Sequence, residues 1–265
     1  MRCWDALARE FLDSKEVFNR YQKQFSRSVH QCCVPNAIPT IFSHLCCNHA
    51  TSHHLTFSLI SEYLTAFTAH NHKLTTLIGA GGKGGAARTY AIDRDCCQYF
   101  IRASAANPSI TKFLLISAIA SRRKPAPWWT TSSEIEAYKK QINEVLPDYY
   151  KAKNAADETL TVLGEEREGF EYVILRPGVL SDDEETGKVR LGRTSVKGSV
   201  SRGDVAEVSM RLLERGGFKG WLDLIGAEDG EGGSVQDEIE RCIKEGVDTR
   251  EGEDLEDMRK NVNAK

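Results

Sequence analysis

An α/β fold with a doubly wound, parallel sheet that is incomplete on its N-terminal side is predicted by three observations in the 265-residue sequence. First, short apolar runs (LTTLI, KFLLIS, YVIL, WLDLI) alternate with stretches long enough for helices. A strand apolar on both faces belongs in a parallel sheet covered by helices on each side. Second, the earliest of these runs leads into a glycine-rich loop, GAGGKGG, as a strand-to-helix connection would. Third, the composition changes near residue 73. All seven His and five of the eight Cys precede that point, every Gly lies at or after Gly79, and 33 of the 38 acidic residues follow it. Two segments are therefore expected: residues 1–73, Cys/His-rich and poorly structured or partly helical, and residues 74–265, which carry the α/β succession.

Within residues 1–24, Trp4, Leu7, Phe11 and Phe18 recur at helical spacing. Cys32, Cys33, Cys46 and Cys47 come as vicinal pairs, which cannot easily share one tetrahedral ion, and no C-x-x-C pair is present, so no metal site is expected. A strand over residues 74–78 then runs into Gly79, Ala80 and Gly81. Residues 91–106 follow as a helix with Ile92, Cys96, Phe100, Ile101 and Ala103 inward. Residues 112–117 form a buried strand, and a Pro- and Trp-containing loop leads through a short polar helix to a longer one over residues 148–166, with Ala152, Ala155, Ala156, Leu160 and Leu163 inward. A strand over residues 172–175 stops at Arg176-Pro177-Gly178. Ser201 with Asp204 opens a helix ended by Gly216-Gly217, Trp221 begins another strand, and Ser234 with Asp237 opens a further helix. The acidic stretch after Gly246 reads as a solvated end.

The formal net charge of −3 gives no pull toward nucleic acid or anionic lipid. No basic stripe interleaved with aromatics is present, and no uncharged apolar run reaches the roughly 18 residues of a membrane span. A cytoplasmic protein without a nucleic-acid or membrane partner is expected.

Two readings of the glycine loop stand. Gly79, Gly81 and Gly84 match G-x-G-x-x-G, which would make this the first βα turn of a dinucleotide fold, with Arg122 and Arg123 beyond the next strand holding a 2′-phosphate. That fingerprint needs a helix opening at the second glycine, whereas the periodic pattern starts only at Ala91. The competing reading starts from Tyr149 and Lys153. Four residues apart, they project from one helical face, and an ammonium there lowers the phenol's pKa toward working pH, so that Tyr149 donates a proton to a carbonyl. The pair lies between strands ending in Ser117 and in Pro177-Gly178, at the carboxyl edge where open α/β sheets bind ligands.

LIGAGGKGG, RTYAIDRD, KFLLISAIASRR, YYKAKNAADETL, EYVILRPGVLSDD, GSVSRGDVAEV and GWLDLIG, in that order, resemble motifs of the atypical short-chain dehydrogenase/reductases, NAD(P)-binding Rossmann-fold proteins of the NmrA-like or NAD-dependent-epimerase-like kind. The resemblance covers about residues 74–255. It implies NADP or NAD as cofactor and an oxidoreductase acting on a small carbonyl, or an inactive derivative; its alternative is a non-catalytic, dinucleotide-sensing regulator of the NmrA kind. It implies that Gly79, Ala80 and Gly81 follow the fourth strand beside the adenosine half of the cofactor. Ser117, or Ser121 just beyond, would bond a substrate carbonyl, Tyr149 would be the catalytic acid, and Lys153 would bind the nicotinamide ribose. Pro177, Gly178 and Val179 would contact the nicotinamide carboxamide through their backbone. Arg202 and Asp204 match a substrate-side segment, with a capping and salt-bridge role as the other reading. Such proteins carry strands one to three and a pyrophosphate-binding glycine turn before this point. Residues 1–73 match none of that pattern, which implies weakened dinucleotide binding.

Overall fold

The computed structural model describes residues 73–76, 85–227 and 231–263. The helix read over residues 1–24, the Cys- and His-rich stretch, and Gly79, Ala80 and Gly81 lie outside them. The sheet is built from β1 (Lys73–Thr76), β2 (Lys112–Ile116), β3 (Glu171–Pro177), β5 (Lys188–Gly192), β7 (Gly220–Gly226) and β8 (Gly233–Ser234), in the order β1-β2-β3-β7-β5-β8. Strands β1, β2, β3 and β7 are parallel, while β5 runs antiparallel to both β7 and β8. A separate parallel pair joins β4 (Val179–Ser181) to β6 (Ser199–Ser201).

Alternate residues of each central strand feed different cores, as the two-residue period of a strand requires. Phe113, Leu115, Tyr172, Ile174 and Trp221 face one apolar cluster, and Leu114, Ile116, Val173, Leu175, Leu222 and Leu224 face the other. The first face is covered by a continuous helix of three parts, α1 (Gly85–Thr89), a π-helical segment (Tyr90–Cys96) and α2 (Cys97–Ala106). It is also covered by α4 (Pro147–Glu166) and α7 (Leu255–Asn263). The second face is covered by α5 (Arg202–Arg215) and α6 (Val235–Glu245). The expected doubly wound sheet is thus present, with an antiparallel margin at β5 and β8.

Strand order bears on the glycine loop. From β1 the chain adds β2, β3 and then β7 on one side only. A first βα turn would require a later parallel strand to return to the other side of β1. Among the described residues none does, and the order is that expected when β1 is the fourth strand.

Two sequence expectations need correction. The helix after the loop opens at Gly85, six residues before Ala91, with Gly85 at φ +74°. Its first turn, Gly85, Ala86, Ala87 and Arg88, is exposed and holds no large apolar residue, which conceals its start from a search for apolar periodicity. The C-terminal stretch is not a solvated end. Leu255, Met258 and Val262 make a stripe on α7, with Met258 and Val262 buried in the first core against α4. Three apolar residues at helical spacing outweigh the acidic composition around them.

Other boundaries agree with simple chemistry. The short polar helix is α3 (Ser132–Lys140), opened by a reciprocal capping box between Thr131 and Glu134 and extended by a π-helical segment, Gln141–Val145. Ser201 and Ser234 cap α5 and α6 by accepting from the amides of Asp204 and Asp237. Gly216 and Gly246 end these helices with positive φ.

Candidate active site

Residues 167–170 turn the end of α4 directly into the start of β3, so the first half of α4 stands over the carboxyl end of the sheet. Tyr149, Lys153 and Asp157 follow one another at one-turn intervals down a single face of this helix, about 5.4 Å per turn. Asp157 lies level with the end of β2. Its Oδ2 accepts a 2.7 Å hydrogen bond from Ser117 Oγ, and the Ser117 amide donates to Leu175 O at 2.8 Å. One turn higher, the Lys153 ammonium donates to Ile116 O at 3.4 Å and lies 3.5 Å from Asp93 Oδ1. Its Nζ is 5.7 Å from the centroid of the Tyr149 ring. Ser117, Lys153, Asp157 and Asp93 are buried, and Tyr149 above them is half-buried.

The structure therefore brings Ser117, Tyr149 and Lys153 to one place, with Ser117 turned toward Asp157. Burial pulls the Lys153 pKa down, yet Tyr149, Asp93, Cys97 and Asp157 more than offset it, so the ammonium stays charged. For Tyr149 the balance goes the other way. Burial raises the phenol's pKa, Asp93 and Asp157 add to the rise, and the opposing pull of Lys153 does not cancel them. The expectation that Lys153 brings the phenol toward working pH is met in sign for that one interaction and reversed in the sum. Burial pushes Asp157 up to about 7 against the pull of Arg176, the Ser117 hydrogen bond and Lys153.

At the end of β3 the backbone is already committed. The Gly178 amide donates to Leu224 O at 2.9 Å and the Val179 amide to Gly198 O at 3.0 Å, while Pro177 O accepts from the Ile119 amide at 3.0 Å. A Cβ on Gly178 would stand 2.6 Å from Gly198 O, so close backbone approach requires glycine here. What this loop presents outward is the exposed side chain of Val179.

Ser121 is fully buried, and its carbonyl accepts from Arg176 Nη2 at 2.6 Å. Arg122 and Arg123, offered as holders of a 2′-phosphate, are engaged elsewhere. Arg122 donates to the carbonyls of Thr249 and Glu251, both at 2.6 Å, and Arg123 pairs with Glu158. Arg202 pairs with Asp182, and Asp204 accepts from the amides of Thr186 and Gly187 and from Ser201 Oγ. Capping and ion pairing account for both.

Three residues of this region escape sequence reasoning: Asp93, Asp157 and Arg176. Asp157 was detectable as the next position on the Tyr149 and Lys153 face. Arg176 is fully buried at the end of an apolar strand, donates to the carbonyls of Ala118, Ile119 and Ser121, and lies 3.8 Å from Asp223. It shapes the turn that follows Ser117.

Residues 64–215 match a protein-family model described as NAD(P)H-binding. A UPF0659 protein of Schizosaccharomyces pombe is 35% identical over 130 residues, which are 48% of this chain and 51% of that protein. An uncharacterized sugar epimerase of Bacillus subtilis, YhfK, is 32% identical over 136 residues, 51% of this chain and 54% of that protein. The chain thus spans about half the length of the curated relatives it matches. Among solved structures, an NAD-dependent epimerase/dehydratase-type protein of Bacillus halodurans superposes with a TM-score of 0.53 at 23% identity, over 68% of this chain and 72% of that one. The oxidoreductase ylbE of Lactococcus lactis superposes with the same TM-score, 0.53, at 22% identity, over 72% of this chain and 76% of that one. These two likenesses concern the fold.

Proposed function

The chain belongs to the NAD(P)H-binding family, within the epimerase- and reductase-like Rossmann superfamily, and from that premise we propose that it is an NADP(H)- or NAD(H)-dependent reductase of a small carbonyl compound. The observation that carries this reading is the charged, buried ammonium of Lys153 beside the half-buried ring of Tyr149, over the carboxyl end of β2. These residues fit the ribose end of a dinucleotide. A fixed cation with several donors suits vicinal hydroxyls, and the phenol stands one turn farther out, where a substrate oxygen is reached. The dinucleotide, when bound, supplies hydride. Tyr149 supplies the proton to the carbonyl oxygen, and Lys153 stabilises the tyrosinate that remains. Ser117, engaged with Asp157, holds the floor of the site.

Two observations favour a second reading, a dinucleotide-responsive regulator without turnover: the Tyr149 pKa is raised in sum, and the Ser117 hydroxyl is engaged with Asp157. Tyr149→Phe separates the two. In the reductase reading it lowers NADPH oxidation with a panel of small aldehydes and ketones by at least about 100-fold, within the usual range for losing a general acid, and leaves NADPH binding intact. If wild type oxidises NADPH no faster than Tyr149→Phe with every carbonyl while both bind NADPH, the regulator reading replaces it.

A further inference from the structure

We propose that Asp93 is a positioning residue of this site, its carboxylate holding the Lys153 ammonium against the end of β2, where Lys153 meets Tyr149 and, on the reading above, the ribose of a dinucleotide. Asp93 sits in the π-helical segment Tyr90–Cys96 of the helix that crosses the first face of the sheet. Such segments are rare and collect at functional sites. Here Ile92 and Asp93, adjacent in sequence, are both buried, one in the apolar core and the other beside Lys153. A buried carboxylate is costly unless a cation or donors meet it, and Asp93 Oδ1 lies 3.5 Å from the Lys153 ammonium.

The other groups facing that ammonium do different things. Cys97, from the same helix as Asp93, is a thiol that burial pushes up to about 12 and so keeps neutral. Asp157, on α4 itself, directs Oδ2 to Ser117 and lies under the influence of Arg176 from β3. Tyr149 presents its ring. From β2 the ammonium meets the Ile116 carbonyl, an uncharged acceptor. Asp93 thus supplies the negative charge on the side away from α4. With a helix-borne carboxylate on one side and a strand carbonyl on the other, a flexible side chain is fixed over the strand end.

The test uses the full chain as wild type, Asp93→Asn, Asp93→Glu and Lys153→Met. The Lys153 Nζ resonance, identified by its loss in Lys153→Met, is titrated by 15N NMR without ligand, and NADPH binding is followed by fluorescence across the same pH range. In Asp93→Asn the midpoint of Lys153 should fall by about one unit or more, since a buried ammonium has lost its counter-ion. NADPH affinity should then decline at a correspondingly lower pH, by about tenfold per unit. Asp93→Glu should restore most of both. Should Asp93→Asn not fold, Asp93→Ser carries the same expectations. A uniform loss of stability and affinity with an unmoved Lys153 midpoint would mark Asp93 as merely structural and overturn the proposal. Binding and titration curves that superimpose on those of a wild type that binds NADPH would overturn it alone. A wild type that binds neither NADPH nor NADH would overturn the functional reading and this proposal together.

Discussion

The two faces of the sheet bury charge in different ways. Beneath α5, charges complete helix ends. Asp204 occupies the first turn of that helix and is met by two backbone amides and the Ser201 hydroxyl, while Lys112 donates to the carbonyls of Leu212 and Leu213 at its other end. On the inner side of α4 and beneath it lie Lys153 and Asp157 of that helix with Asp93, Arg176 and Asp223, all buried. Asp157 Oδ1, Asp223 Oδ2 and Arg176 Nη1 lack hydrogen-bond partners among the described residues. Apolar residues of similar volume would often be neutral or more stable in such positions. The contrast teaches that the first kind of charge serves helix ends, whereas the second is met by its own members, by strand-end carbonyls and by the hydroxyls of Ser117 and Thr249, and it surrounds the pair Tyr149 and Lys153. Deviations from local consistency collect at functional sites in this way.

The contrast breaks most readily at Arg176. Replacing it with Ala removes the donor to three carbonyls and leaves Asp223 without its closest cation, so urea unfolding should show a loss of about 3–5 kcal/mol. A loss below about 1 kcal/mol, the worth of a surface pair, would mean that the charges beneath α4 are no more interdependent than those of an exposed salt bridge.

Asp157 sharpens the contrast through pH. Its folded pKa is about 7 against an ordinary 3.8, so the folded protein holds a proton that the unfolded chain releases. The stability this supplies is complete below about pH 4 and is lost as pH rises through about 7, a change of a few kcal/mol. Asp223, pushed up to about 6, adds a fall in the same direction that ends earlier. Asp157→Asn should therefore flatten the dependence of the urea midpoint on pH between 4 and 7. An unchanged slope would place the titration elsewhere.

The smallest effect belongs to the other face. Ser201→Ala removes the side-chain cap of α5 and one of the contacts of Asp204, and should cost about 1 kcal/mol without altering NADPH affinity. A change in affinity would join the two faces functionally and remove the distinction between them.

Much of the fold is legible in the sequence because parallel strands announce themselves. KFLLI is buried at every position, and such a run has few other places in a protein. The caps at Ser201 and Ser234 and the glycine stops are local chemistry, readable within four residues. The site is legible only in part. Tyr149 and Lys153 share a helical face that spacing reveals, but Ser117 meets Asp157 across 40 residues of chain, and nothing in the neighbourhood of Ser117 indicates that partner. Asp93 breaks the apolar periodicity of its helix, so it reads as an outward residue until the π-helical segment turns it inward. α7 was hidden for a related reason: its stripe has only three apolar members, and its burial depends on a face of α4 contributed from almost a hundred residues earlier.

The most direct measurement is an isothermal titration of the full chain with NADPH, repeated with Lys153→Met. Saturable one-site binding by wild type, weakened at least about tenfold by the substitution, is the expected result, a loss of about 1.4 kcal/mol or more. Saturable binding of equal strength in both proteins would contradict the placement of the cofactor at Lys153, and no saturable binding in the wild type would contradict the functional reading itself.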